Sequence, residues 1–162
     1  MSLDPPLRPP AHQVSPRAVR WWQLRTLLWV VVLAAPQIVL LMTTGAPVWP
    51  YTLAATGLGG LAYVVVVPRI LFRIHRWEVT DEAVYTLSGW LVREWRIAPI
   101  SRVQTVDTQH GPLQQLLKLA TVTVTTASAR GAVKIAGLDA QDAAELARTL
   151  TETTQATPGD AT

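Results

Sequence analysis

A chain of 162 residues with a net charge of +3 and no cysteine has room for one ordinary domain plus something small, and it excludes a disulfide framework, a thiolate zinc site and a thiol nucleophile. The placement of charge excludes a nucleic-acid binder. The excess arginine lies in residues 1–25 and 69–76, whereas from Trp77 onward seven basic residues face ten acidic ones, so no folded face is basic.

Residues 1–20 contain Pro5, Pro6, Pro9, Pro10 and Pro16 with few apolar residues, and read as a disordered or extended arm. Residues 26–68 then carry no charged side chain. That stretch is too long for one membrane span and long enough for two, 24–44 and 48–67, since about 20 apolar residues cross the hydrocarbon core. Gly45-Ala46-Pro47 is all that joins them, so residues 21–68 form a tight transmembrane hairpin. A buried soluble hairpin would show a charged face on helices this long. A signal peptide would have a shorter apolar core and no second span directly behind it. Arginines on both outer flanks and none in the connection place the loop outside and both termini in the cytoplasm, at the cell membrane. Trp21, Trp22, Phe72 and Trp77 mark one interface, Trp49 and Tyr51 the other.

Pro36 is expected to kink the first span. In the second, Ala55 and Gly59 and likewise Thr56 and Gly60 stand four apart, so either row offers a close approach to another helix, the first span or a second chain. The absence of ionisable residues inside either span counts against a pump or transporter. Residues 69–76 form a basic linker in which Arg69, Arg73 and Arg76 share a face if the helix continues, ready for anionic headgroups at about 1 kcal/mol each.

From Trp77 the period becomes strand-like. WEVT, AVYTLS, WLVREWRI, ISRVQTVDTQ, ATVTVTTAS and AVKIAGL read as six strands, with turns at Asp81-Glu82, Gly89, Ala98-Pro99 and Ala129-Arg130-Gly131. Val122 and Val124 take one face of their strand; Thr121, Thr123 and Thr125 take the other. Trp90 and Trp95, five apart, fall on opposite faces, one in the core and one available to a partner. Asp139 then caps a closing helix whose stripe is Ala143, Leu146, Ala147 and Leu150, and residues 153–162 are expected to form a polar, disordered tail. The stretch VDTQHGPLQQLLKLATVTVTT (106–126) joins two strands. In it Leu113, Leu116, Leu117 and Leu119 are expected to pin a short helical turn, with Gln114, Gln115 and Lys118 outward.

Trp77-Glu78-Val79-Thr80, Gly89, Arg96-Ile97-Ala98-Pro99-Ile100, Val103-Gln104 and the 106–126 stretch together resemble the bacterial pleckstrin-homology family of the YdbS-like type, long catalogued as a domain of unknown function. The resemblance covers residues 20–152. It implies an α+β chain: a two-helix membrane hairpin, then a small pleckstrin-like antiparallel split β-barrel over 77–152 with a C-terminal capping helix. Members usually carry a basic residue near Gln115 and often glycine at the position of Lys118. That departure implies either that the turn needs no positive φ or that Lys118 is held there under mild strain.

No catalytic inventory emerges. His12, His75 and His110 are scattered without metal-ligand spacing, no phosphate loop or nucleophile elbow is present, and Ser101 and Ser128 lack an activating neighbour. Asp107 and His110 read as a local turn pair. No enzyme, cofactor or metal is expected. The leading expectation is a membrane-anchored interaction module that docks a partner membrane protein, which the resemblance implies to be a larger one with several such domains, or self-associates. Its candidate surface is Gln114, Gln115, Lys118, Arg93 and Arg96. A lipid-sensing domain binding anionic headgroups is the second reading, a transporter accessory the third.

Overall fold

The computed structural model of the chain describes residues 8–127 and 131–156. Pro5, Pro6, Ser128, the Ala129-Arg130 part of the expected turn and the tail from Thr157 lie outside the described residues, whereas residues 153–156, expected in the disordered tail, continue the closing helix. The elements, in order, are β1 (His12–Gln13), α1 (Arg17–Thr44), α2 (Val48–Ile74), β2 (Arg76–Val79), β3 (Ala83–Ser88), β4 (Glu94–Pro99), a 3-10 turn (Ile100–Arg102), β5 (Val103–Gln109), α3 (Pro112–Leu116), β6 (Leu119–Thr126), β7 (Val133–Asp139) and α4 (Ala140–Ala156). Strands β1-β2-β3-β4 form one antiparallel sheet and β5-β6-β7 a second.

The core lies between the two sheets and under α4. Val84 and Ala98 come from the first sheet, Val122 and Val124 from the second, and Leu146 and Leu150 from the helix. Alternation in β6 produces this arrangement: its valines enter the core, and Thr121, Thr123 and Thr125 occupy the opposite face, where Thr123 is also covered. The α4 stripe behaves likewise, with Ala143, Leu146 and Leu150 buried and the polar residues between them outside.

The two apolar helices, 28 and 27 residues long, are each sufficient to cross a membrane. Gly45 turns the chain between them at φ +60°, and its N–H donates to the Leu41 carbonyl. Halfway along, the Gln37 amide donates to the Leu33 carbonyl and to Thr56 Oγ1 at 3.0 and 2.9 Å, so the polar groups in the apolar region satisfy each other. Gly60 meets Val30 so closely that an added Cβ would lie 2.6 Å from its Cγ2, whereas Gly59 has open space. Thr56 and Gly60 therefore make the close contacts with α1, while Ala55 and Gly59 border an open groove between the two helices with Trp29, Val30 and Leu33.

Both helices outrun the uncharged stretch at their basic ends, and these extensions pack on the β-domain. Ala18 and Trp22 of α1 are buried with Val14, against Leu71 and Phe72 of α2 and Trp77 of β2. Here the expected disordered arm is corrected for its described part. Residues 12–13 pair as β1 with β2, Glu78 accepts from Arg8 at 2.7 Å and from the Ala11 N–H at 3.1 Å, and Pro10 is buried. A short prolyl segment needs no helix or long strand to be held; one sheet edge and one carboxylate suffice.

A bulge in β7 completes the dock. Ala120 pairs with Leu138 and Thr121 with Ala136, leaving Gly137 unpaired at φ +82°. Its carbonyl turns outward and accepts the Ser15 N–H at 2.9 Å, while Ala18 sits where a side chain would be.

Two expectations for the β3–β4 connection are also corrected. The strand starting at Trp90 begins only at Glu94, because Gly89 adopts φ +94° and sends residues 90–93 into a loop. Trp95 is half-buried on β4, and Trp90 lies in the loop, so neither is a core tryptophan.

His75 follows α2 at this junction. Its Nδ1–H donates to the Leu71 carbonyl at 2.9 Å, and its ring lies 5.2 Å from that of Trp22. Burial among these groups lowers its pKa below the usual 6.5, a shift that the Leu71 hydrogen bond opposes. The opened junction therefore binds a proton more readily than the packed one, and stability falls as pH drops through 6.5 towards the lowered value. Thermal denaturation in detergent should show an acid-side fall in midpoint that His75→Gln flattens.

Candidate functional site

Arg69, Arg73 and Arg76 do not share one helical face, because α2 ends at Ile74. Arg69 bonds back to the Val65 carbonyl, and Arg73 is exposed with no ion pair among the described residues. Arg76 lies on β2, half-buried, and donates to the Pro10 carbonyl at 3.4 Å. It is the arm, absent from any local pattern, that claims the third arginine. On α1, Arg25 stands over the Trp21 ring at 5.2 Å, so the basic end of this helix presents a cation beside an indole ring.

The five residues of the expected interaction surface divide into three groups. Gln115 and Lys118 are exposed and line one hollow of about 740 Å³ with Arg17, His110, Asp139 and Asp142. Arg93 and Arg96 belong to the β3–β4 hairpin. Arg93 is exposed, but Arg96 is engaged with Glu94 at 2.8 Å and with the Ala132 carbonyl at 3.0 Å, tying the hairpin to the second sheet. Gln114 is corrected to a buried residue. Its amide oxygen accepts the Gly111 N–H at 3.0 Å and its nitrogen donates to Thr121 Oγ1 at 2.8 Å, which closes the α3 turn onto β6. A glutamine side chain carries both donor and acceptor, so it can link a turn to a strand from inside; sequence spacing does not show that demand.

Leu116 is a further correction: it is 76% exposed and does not pin the turn. α3 is only five residues long, so one face is covered by β6 and the other left open.

The hollow is electrostatically mixed. Arg17 approaches Asp139 at 3.3 Å, Ser15 Oγ donates to the same carboxylate at 3.5 Å, and Lys118 and Asp142 add one charge of each sign. Such a balance suits a polar, hydrogen-bonding contact better than capture of a multiply charged anion. Arg17 is the member that sequence reasoning missed. It belongs to the segment expected to be a disordered or extended arm, and only the docking of α1 brings it to the end of β7.

Lys118 holds φ +55°, the one non-glycine residue with positive φ among those described. The strained alternative is therefore the one realised. Left-handed backbone costs a residue with a Cβ about 1–2 kcal/mol, and glycine returns part of that gain as freedom in the unfolded chain. Lys118→Gly should raise stability in detergent by roughly 0.5–1 kcal/mol by thermal or chemical denaturation, while removing a cation from the hollow.

The histidines serve structural contacts. The His12 ring stacks near Trp77 at 5.2 Å, and His110 Nδ1–H donates to the Leu119 carbonyl at 3.0 Å. Asp107 accepts from Thr105 Oγ1 at 3.3 Å instead of meeting His110. Among the described residues no three His, Asp or Glu side chains converge as metal ligands.

Comparison with known proteins agrees with this architecture. A family model described as "Bacterial PH domain" matches residues 23–154. The chain is 32% identical over 124 residues to the UPF0699 transmembrane protein YdbS of Bacillus subtilis (strain 168), covering 74% of this chain and 78% of that one. No solved structure matches significantly.

Proposed function

This chain belongs to the bacterial PH domain family, and from that premise we propose that it is a non-enzymatic, membrane-anchored interaction module. Its PH-like domain docks a partner membrane protein, or a second copy of the chain, at the cytoplasmic face. The observation that carries this reading is the shared junction: Ala18, Trp22, Leu71 and Phe72 of the apolar helices pack with Val14 and Trp77 of the domain. A domain fixed this way keeps one face at a set height and angle above the bilayer, which favours contact with another membrane-bound surface by limiting the orientational search. The polar hollow with Arg17, Gln115 and Lys118 is the docking face.

The arginine flanks support placing both termini in the cytoplasm. A reporter enzyme fused after the last residue should be active only in the cytoplasmic form; activity of an exported reporter there would overturn the orientation.

Docking is tested by crosslinking from a photoreactive residue at Gln115 in native membranes, followed by purification in mild detergent. A discrete crosslinked species, heteromeric or homodimeric, is expected. A solitary monomer with no adduct would sink the proposal. The second reading, recognition of anionic headgroups, is favoured by the exposed Arg69 and Arg73. It requires lipid-dependent protection of these arginines in the full chain, since an excised domain would lose Val14 and Ala18 from its packing.

A further inference from the structure

Outside the two spans, the large apolar side chains left exposed among the described residues are Trp90, Leu91, Val92 and Leu116. Three of them are consecutive and form the tip of the β3–β4 hairpin, a position where turn chemistry calls for polar residues. Leu91 and Val92 are 79% and 78% exposed. The tip's geometry is built, not frayed: Gly89 stands at φ +94°, and any Cβ there would overlap the Val92 carbonyl oxygen.

The tip also has a fixed neighbour. The Trp90 ring meets that of Tyr63 edge-on, with centroids 6.1 Å apart. Tyr63 belongs to α2, six residues before Arg69 and inside the stretch that carries no charge. At 1.5 Å per residue this is about 9 Å along the axis from the first arginine towards the apolar centre. A helical side chain moreover leans towards its own N-terminus, which on α2 points deeper still. Whatever surrounds Tyr63 therefore also surrounds the hairpin tip.

We propose that Trp90, Leu91 and Val92 insert into the bilayer leaflet that receives the basic ends of the spans, making the β3–β4 hairpin a third membrane anchor. Indole favours the boundary between headgroup and acyl chain, the two aliphatic residues enter the apolar side, and exposed Arg93 follows at once to return the strand to the headgroup level. Glu94 would be unwelcome there as a free charge, and it is held by Arg96 at 2.8 Å. The inference requires only the two spans and is independent of whether a protein docks at the hollow.

The absence of cysteine makes the test direct. Leu91→Cys and Val92→Cys, each in the full chain, are labelled with an environment-sensitive nitrobenzoxadiazole dye and reconstituted in phosphatidylcholine–phosphatidylglycerol vesicles. Leu58→Cys in α2 and Glu152→Cys on α4 serve as the apolar and aqueous references. Labels at 91 and 92 should emit to the blue of that at 152, be quenched several-fold more strongly than it by spin-labelled acyl chains, and be several-fold less sensitive to iodide. Iodide sensitivity equal to that at position 152 would overturn the proposal. So would protection from iodide without acyl-chain quenching, which would assign the tip to a protein contact.

Discussion

Gly137→Val is expected to release the first turn of α1 from the β-domain and to destabilise the protein by about 3 kcal/mol or more. Two costs combine. A β-branched residue at φ +82° takes on backbone strain of roughly 1–3 kcal/mol. Its Cβ would also stand 2.7 Å from the Ala18 Cβ, and overpacking adds about 1–3 kcal/mol. The Ser15 N–H bond to the Gly137 carbonyl would be lost in the same movement. Thermal denaturation in detergent reads the stability, and limited proteolysis within residues 8–16 reads the release. Pairing Gly137→Ala with Ala18→Gly separates the causes: the double variant should recover the steric part and keep the backbone part. Full stability of Gly137→Val would mean that the bulge does not hold the helix.

Leu150→Ala should cost about 2–5 kcal/mol, whereas Leu116→Ala should change stability by less than roughly 0.5 kcal/mol. The residue type is the same, and burial decides between them. Leu150 is fully buried on α4, in the cluster that includes Val124 and Ile135, and truncation leaves a cavity that packed sheets cannot collapse. Leu116 is 76% exposed and loses little on truncation. Equal denaturation midpoints for the two variants would contradict the core as described. Because Leu116 adjoins the hollow-lining Gln115, its variant also serves as a stable background for the docking experiment.

The β-domain was legible wherever one local rule decided the outcome. Alternation in 121–126 fixed which side of β6 enters the core, and the three- and four-residue spacing of Ala143, Leu146 and Leu150 identified the covering face of α4. Forty-three uncharged residues with a Gly-Ala-Pro break leave two apolar helices and a short turn as the economical solution, since backbone groups in hydrocarbon must bond within their own segment. Gly89 was legible as a turn, but its consequence was not: whether WLVR continues a strand or forms a loop depends on the register with β3, which pairs Ser88 with Glu94.

The functional surface was less legible because its members meet through long-range contacts. Gln114 and Gln115 are adjacent and chemically identical, yet one is buried and tied to Gly111 and Thr121 while the other borders the hollow. A one-residue step on a short helix turns a side chain by about 100°, and only the position of β6 says which of the two points inward. Arg76 and Arg17 likewise acquired their partners, Pro10 and Asp139, from segments more than sixty residues away in sequence.

By itself, then, the amino-acid sequence determined the two long apolar helices, the strand count after Trp77, the closing helix and the family, because hydrophobic period and charge exclusion act over neighbouring residues. The tertiary structure alone decided that residues 8–16 belong to the folded body, that α1 locks against the Gly137 bulge, and that an apolar hairpin tip lies beside Tyr63. Each of those depends on two distant segments meeting, and their geometry is set by the packing of the whole chain rather than by any pattern along it.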